Sequence, residues 1–113
     1  MLKPKAERGF SMTNVTFAEL VKEEFPIIGQ YTPVLVRVHG EAHPELASVL
    51  EVFKKINKAA NEKNLDELEL RANFQKLREI TQDYSLPSDA CETYIETYNM
   101  LARADKTYHL ENN

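Results

Sequence analysis

A chain of 113 residues, 42% hydrophobic and 28% charged, is the size of one domain and can bury a core without covalent staples. Its single cysteine, Cys91, excludes an internal disulfide framework, and a formal charge of −4 offers no field for a nucleic-acid backbone. No apolar run nears the roughly 18 residues of a membrane helix, so the expectation is a soluble cytoplasmic domain with neither nucleic acid nor membrane as partner.

Residues 1–15 mix Lys, Pro, Glu, Arg, Gly and Ser without periodicity and read as a flexible leader. Lys3, Lys5 and Arg8 precede no apolar stretch, so they make no secretory signal. A helical domain is expected over residues 16–113. Thr16-Phe-Ala-Glu19 has the spacing of a capping box and leads into Phe17, Leu20, Val21, Phe25 and Ile28. The stretch from Thr32 to Gly40 is ambiguous. Val34, Leu35, Val36 and Val38 suit a strand, but a lone strand would leave its backbone groups unpaired. It reads instead as a continuation of the first helix, bent or restarted at Thr32-Pro33 and stopped by Gly40.

Pro44 fits the first position of the next helix, whose apolar residues Leu46, Val49, Leu50, Phe53, Ile56 and Ala60 recur every three or four. Asn64 to Glu67 reads as the capping box of a further helix carrying Leu70, Phe74, Leu77, Ile80 and Tyr84. Beyond the break at Ser85-Leu-Pro-Ser88, Cys91, Tyr94, Tyr98, Leu101, Ala104 and Tyr108 form the last stripe. Four helices, short connections and one apolar face each predict an all-α antiparallel four-helix bundle.

Three histidines, His39, His43 and His109, supply the groups that titrate near neutrality. Four residues apart, His39 and His43 would share a face of a continuous helix as metal ligands. Gly40 and Pro44 argue instead that one helix ends and another begins there, leaving surface or capping histidines as the alternative. Cys91 falls on the apolar stripe with no basic neighbour and is expected to be buried and structural. Tyr94, Tyr98 and Tyr108 are expected in the core, with Thr81, Glu67 or Glu111 as hydroxyl partners. The mixture of Glu51, Lys54, Lys55, Lys58, Glu62 and Lys63 reads as a solvated helix face. No Gly-rich phosphate loop, CxxC pair or nucleophile elbow is present, so nothing in the residues points to catalysis.

Four segments go further. Val38-His-Gly-Glu-Ala-His-Pro-Glu-Leu46, Leu77-Arg-Glu-Ile-Thr-Gln-Asp-Tyr84, Pro87-Ser-Asp-Ala-Cys-Glu-Thr-Tyr94 and His109-Leu-Glu-Asn-Asn113 follow in that order. Through them residues 16–113 resemble the repair of iron centres (RIC) family. The resemblance implies a hemerythrin-like four-helix bundle in which histidines and bridging glutamates hold two irons. It also implies a stress-response role in restoring iron–sulfur clusters damaged by nitric oxide or oxidants. The VHG histidine is His39. Where the family's first helix has a ligand histidine after an aromatic residue, Phe17 is followed by Ala18. The third helix's histidine position falls on Glu67, a carboxylate that iron accepts in place of imidazole. The last helix's His-x-x-x-Glu pair stands here as Thr107 and Glu111. A family segment ending in an LFP-like turn has no counterpart between Lys58 and Glu67. The family's apolar continuation would follow Asn113, and the cysteine-bearing N-terminal domain of many members is not in this sequence. The implied metal residues are His39, Glu67 and Glu111, with His43, Glu24 and His109 as spare candidates.

The residues leave three functions open. The first is iron–sulfur cluster repair or iron handling through an incomplete di-iron site, with iron–sulfur proteins as partners. The second is a metal-free bundle whose ligand face has become an interaction or dimerisation surface. A shortened bundle exposes apolar area, and a homodimer would complete it. The third is a mononuclear His/Glu site, built from His39, His43, Glu67 and Glu111, for a metal such as zinc.

Overall fold

The computed structural model describes residues 15–62 and 66–112. The protein is all-α. Five helices follow in chain order: α1 (Phe17–Glu23), α2 (Phe25–His39), α3 (Glu45–Ala60), α4 (Glu67–Thr81) and α5 (Glu92–Glu111). None is long and apolar enough to cross a membrane among the described residues. The flexible leader expected at residues 1–15 lies outside the described residues except for Val15.

The start of α1 follows the sequence. The Thr16 hydroxyl accepts from the Glu19 amide at 3.1 Å while the Glu19 carboxylate accepts from the Thr16 amide at 2.9 Å. Donation from the Thr16 amide, and then from its hydroxyl, holds the Glu19 carboxyl below the usual carboxylate range. The break expected at Thr32-Pro33 lies earlier, at Glu24. Pro26 stands in the first turn of α2 and has no amide to continue the α1 ladder, so a new helix begins around it. Pro33 is carried inside α2 without interruption. It is exposed, so its ring projects to water, and the Thr32 hydroxyl beside it donates to the Ile28 carbonyl at 2.6 Å. Gly40 does stop α2. A Cβ there would run into the Val36 carbonyl oxygen, which the Gly40 amide already bonds.

Pro44 is the N-cap of α3 rather than its first residue. For α4 the cap is Asp66, which accepts from the Glu69 amide at 3.1 Å; Asn64 lies outside the described residues. This helix ends at Thr81, short of the expected Tyr84. Gln82, Asp83 and Tyr84 follow with φ of 54°, 59° and 62°, three successive left-handed residues without a glycine. Two hydrogen bonds hold the reversal: Asp83 amide to Arg78 carbonyl and Tyr84 amide to Thr81 hydroxyl, each 2.8 Å.

Packing runs α4 on α3, α3 on α2 and α2 on α5, with α1 against both α2 and α5. The α2–α5 pair is antiparallel, because Glu24 meets Arg103 at one end while His39 meets Tyr94 at the other. Each helix contributes one ring to a continuous aromatic chain. Phe17 of α1 lies edge-on to Phe25 of α2, Phe74 of α4 and Tyr108 of α5, with centroids 5.9, 6.1 and 5.1 Å apart. Phe25 extends the chain to Phe53 of α3 at 5.3 Å. Edge-to-face geometry suits the ring quadrupoles, and each buried ring adds about 1.5–3 kcal/mol of hydrophobic stabilisation.

Phe17→Ala removes the ring that touches three helices and is expected to lower the urea-unfolding free energy by about 3–5 kcal/mol. A loss below about 1 kcal/mol would show that the helices are joined by something else.

Candidate functional site

The four residues singled out as metal ligands separate into two pairs. His39 closes α2 and His43 follows in the turn to α3, and both rings lie edge-on to Tyr94, at 5.5 and 5.7 Å. Glu67 opens α4, where its carbonyl takes the Tyr108 hydroxyl, and Glu111 closes α5 one turn beyond Tyr108. Tyr94 and Tyr108 are fourteen residues apart on α5, about 21 Å along one helix. The histidines are therefore at one end of the molecule and the glutamates at the other. Phe17, Phe25, Phe53 and Phe74 occupy the interior.

At the histidine end, His43 Nε2 donates to both oxygens of Asp89, at 3.0 and 3.1 Å, and its Nδ1 lies 3.6 Å from the Glu45 carboxylate. This bond from His43 holds the Asp89 carboxyl below its ordinary range. It ties the α2–α3 turn to the loop ahead of α5, a link between residues 46 apart. Tyr94 is wholly buried between the two imidazoles and Tyr98, and its hydroxyl finds no hydrogen-bond partner among the described residues. Burial pushes the Tyr94 and Tyr98 phenols up, with their mutual proximity adding to the effect at Tyr98. Glu45 and Tyr98 also wall a cleft of about 420 Å³ beneath the 82–87 loop.

At the glutamate end, the Glu111 carboxylate accepts from the Phe17 amide at 2.7 Å. The bond satisfies an orphan donor of α1 and pins the end of α5 to it. Glu67 contributes its backbone rather than its carboxylate: the Tyr108 hydroxyl donates to the Glu67 carbonyl at 3.3 Å. Of the spare candidates, Glu24 receives both Nε and a terminal nitrogen of Arg103 at 3.2 Å, fixing the α1–α2 elbow on α5. Neither Ala18, which is exposed, nor Thr107 offers a ligand atom that would complete either pair.

A polar cluster not expected from the sequence lies between the two ends. Asp105, 5% exposed on the inner face of α5, accepts from the Tyr84 hydroxyl at 2.7 Å and forms an ion pair with Arg78, whose Nε lies 3.3 Å away and donates to the Phe74 carbonyl. His109 Nδ1 faces Asp105 Oδ1 and the Asp105 carbonyl oxygen, both at 2.9 Å, so this nitrogen carries the proton. The Tyr84 phenol is driven far up by burial and then by the Asp105 charge, which keeps it a donor. This network anchors the left-handed turn to α5. Its sequence signal was present: Asp105 sits between Leu101 and Tyr108 at helical spacing, a carboxylate on an apolar stripe, with His109 four residues on. Cys91, expected to be buried, is exposed at the N-cap of α5.

Among the described residues no group of three or more His, Cys, Asp or Glu side chains is arranged to hold a metal ion. Comparison with family models finds no match, and comparison with curated proteins and with solved structures finds none either.

Two outcomes test this geometry. Tyr94→Phe deletes an unsatisfied buried hydroxyl, so thermal and urea unfolding should show no loss, or a gain of up to about 1 kcal/mol. A loss above that size would mean the hydroxyl is bonded in solution. Asp89 has a depressed pKa in the folded protein. Its contribution is therefore present above the unfolded carboxyl value of about 3.9 and disappears as pH falls below it. Stability of Asp89→Asn should consequently fall less steeply than that of the parent between about pH 4 and pH 2, read from urea midpoints.

Proposed function

We propose that this protein is a metal-independent helical interaction module, related in fold to the hemerythrin-like bundles of the RIC family. The observation that carries this reading is the use made of the implied ligands. Glu111 is engaged by the Phe17 amide and His43 by Asp89, and about 21 Å of packed aromatic core separates the two pairs. A di-iron centre needs its donors to converge from facing helices on one pair of metals. His39, His43, Glu67 and Glu111 do not converge, and the side chains between them are phenylalanines and tyrosines that offer iron no ligand. The residues therefore do not fit a di-iron group. The cluster-repair or iron-donating role implied by the resemblance would need ligands from another source.

A mononuclear site has one observation in its favour: His39 and His43 share one end of the molecule, both edge-on to Tyr94. Reaching it would require His43 to release Asp89.

Metal content with stoichiometry, measured on protein prepared without a histidine tag, decides among the three. The module reading expects less than about 0.1 metal per chain and a melting temperature unchanged by chelator. Two irons per chain would overturn it in favour of iron handling. One zinc per chain that disappears in His43→Ala would establish the mononuclear site.

A further inference from the structure

Open volume and unspent polar groups coincide in the cleft beneath the 82–87 loop. It holds about 420 Å³ between the end of α4, the start of α3 and Tyr98 of α5. That is within the roughly 300–1,000 Å³ of small-molecule sites.

Most of its wall is already satisfied or apolar. The Thr81 hydroxyl donates to the Leu77 carbonyl and accepts from the Tyr84 amide, and the Ser85 hydroxyl donates to the Gln82 carbonyl. Ile80, Leu86 and Pro87 contribute hydrocarbon, and Gln82 is exposed to water. That leaves Glu45 and Tyr98.

Both of these turn acceptors toward the cleft. Glu45 Oε2 lies 3.6 Å from His43 Nδ1, but the proton of that imidazole is spent at Nε2 on Asp89. In the neutral ring Nδ1 is then an acceptor, so it brings the carboxylate no hydrogen bond. Tyr98 is 2% exposed, and one turn away on α5 the wholly buried Tyr94 hydroxyl has no partner among the described residues; the two rings are 5.1 Å apart. Burial first, and then Tyr94 and Glu45, push the Tyr98 phenol up, so it keeps its proton. With that proton turned toward Tyr94, the Tyr98 oxygen offers its lone pairs to the cleft.

We propose that this cleft binds a small primary alkylammonium, whose nitrogen donates to the Glu45 carboxylate and the Tyr98 oxygen while its alkyl body lies along Ile80, Leu86 and Pro87. Among the described residues Glu45 supplies the only charge in the wall, and its sign selects a cation and repels an anion. A quaternary ammonium has no N–H to give. An alcohol has one proton and leaves the carboxylate uncompensated as water withdraws. A metal ion finds no third carboxylate, imidazole or thiolate arranged to hold it among the described residues. An ammonium supplies several donors at one point, and Tyr98, once it accepts, is polarised to donate to Tyr94 and give the orphan hydroxyl a partner.

A ligand of a few heavy atoms binds weakly, so the expected dissociation constant is about 1–10 mM. The test is a titration of the full chain, labelled with nitrogen-15, with n-butylammonium chloride, followed through its amide shifts. At about pH 8 imidazoles are ordinarily neutral and alkylamines still charged. Chelator is present throughout, so the result is read separately from metal content. Saturable shifts are expected at Glu45, Ser85, Leu86 and Tyr98, whereas sodium chloride, sodium butyrate and n-butanol should give none. Glu45→Gln keeps the shape of the wall and should weaken binding at least about tenfold. Tyr98→Phe keeps the ring and should weaken it about three- to tenfold; it also carries the reading should Glu45→Gln fail to fold. No saturation below about 50 mM, shifts matched by any of the three comparison solutes, or a dissociation constant unchanged in either variant overturns the proposal.

Discussion

A single chain of edge-to-face rings makes one body of five short helices. Phe17, Phe25, Phe53, Phe74 and Tyr108 come one from each helix, and no helix reaches the core without contributing to it. Helix α1 has only seven residues, too few to persist alone in water, and it exists because Phe17 is held by three neighbours and its first amides are capped by Thr16 and Glu111. The rings also decide what the interior is able to do. Space that a metal-binding bundle would line with imidazoles and carboxylates is filled here by hydrocarbon, and polar chemistry is moved to the two ends and to Asp105.

Those polar groups act as fasteners. Glu24 with Arg103, Glu111 with the Phe17 amide, His43 with Asp89, and Asp105 with Tyr84 each join segments far apart in sequence. Exposed pairs such as His43–Asp89 add little net stability, whereas the buried Asp105 carboxylate must keep its donors, since stripping them would leave a charge in a dry interior. Glu111, whose carboxylate takes the Phe17 amide, closes the end of α5 onto α1.

Much of this was legible in the residues, and the exceptions have definite causes. Stripes of period three to four placed α3, α4 and α5, because one-sided burial leaves that imprint. The Thr16–Glu19 box marked the start of α1 and Gly40 the end of α2, because orphan amides and a carbonyl clash act locally. The break between α1 and α2 was misplaced. Pro33 and Pro26 look alike as punctuation and both are exposed, yet a helix begins around the second and runs through the first. Cys91 was expected in the core because it continues a stripe, but it stands one residue ahead of the helix that carries that stripe. The partnership of His43 with Asp89 and that of Glu111 with Phe17 left no local trace, since both depend on which helix ends meet in space. The histidine and acidic motifs indicated residue types, whereas the distance between the two ends they occupy is a property of the folded chain alone.

The reversal at Gln82, Asp83 and Tyr84 restricts which relatives of this chain could fold. A left-handed backbone at three consecutive side-chain-bearing positions excludes valine, isoleucine and threonine there. Asparagine and aspartate tolerate the conformation, and glycine would relieve it at the cost of a larger unfolded ensemble. Drift at Gln82 and Asp83 is thus confined to a narrow alphabet by backbone torsion, and at Tyr84 by torsion together with the hydroxyl that Asp105 takes.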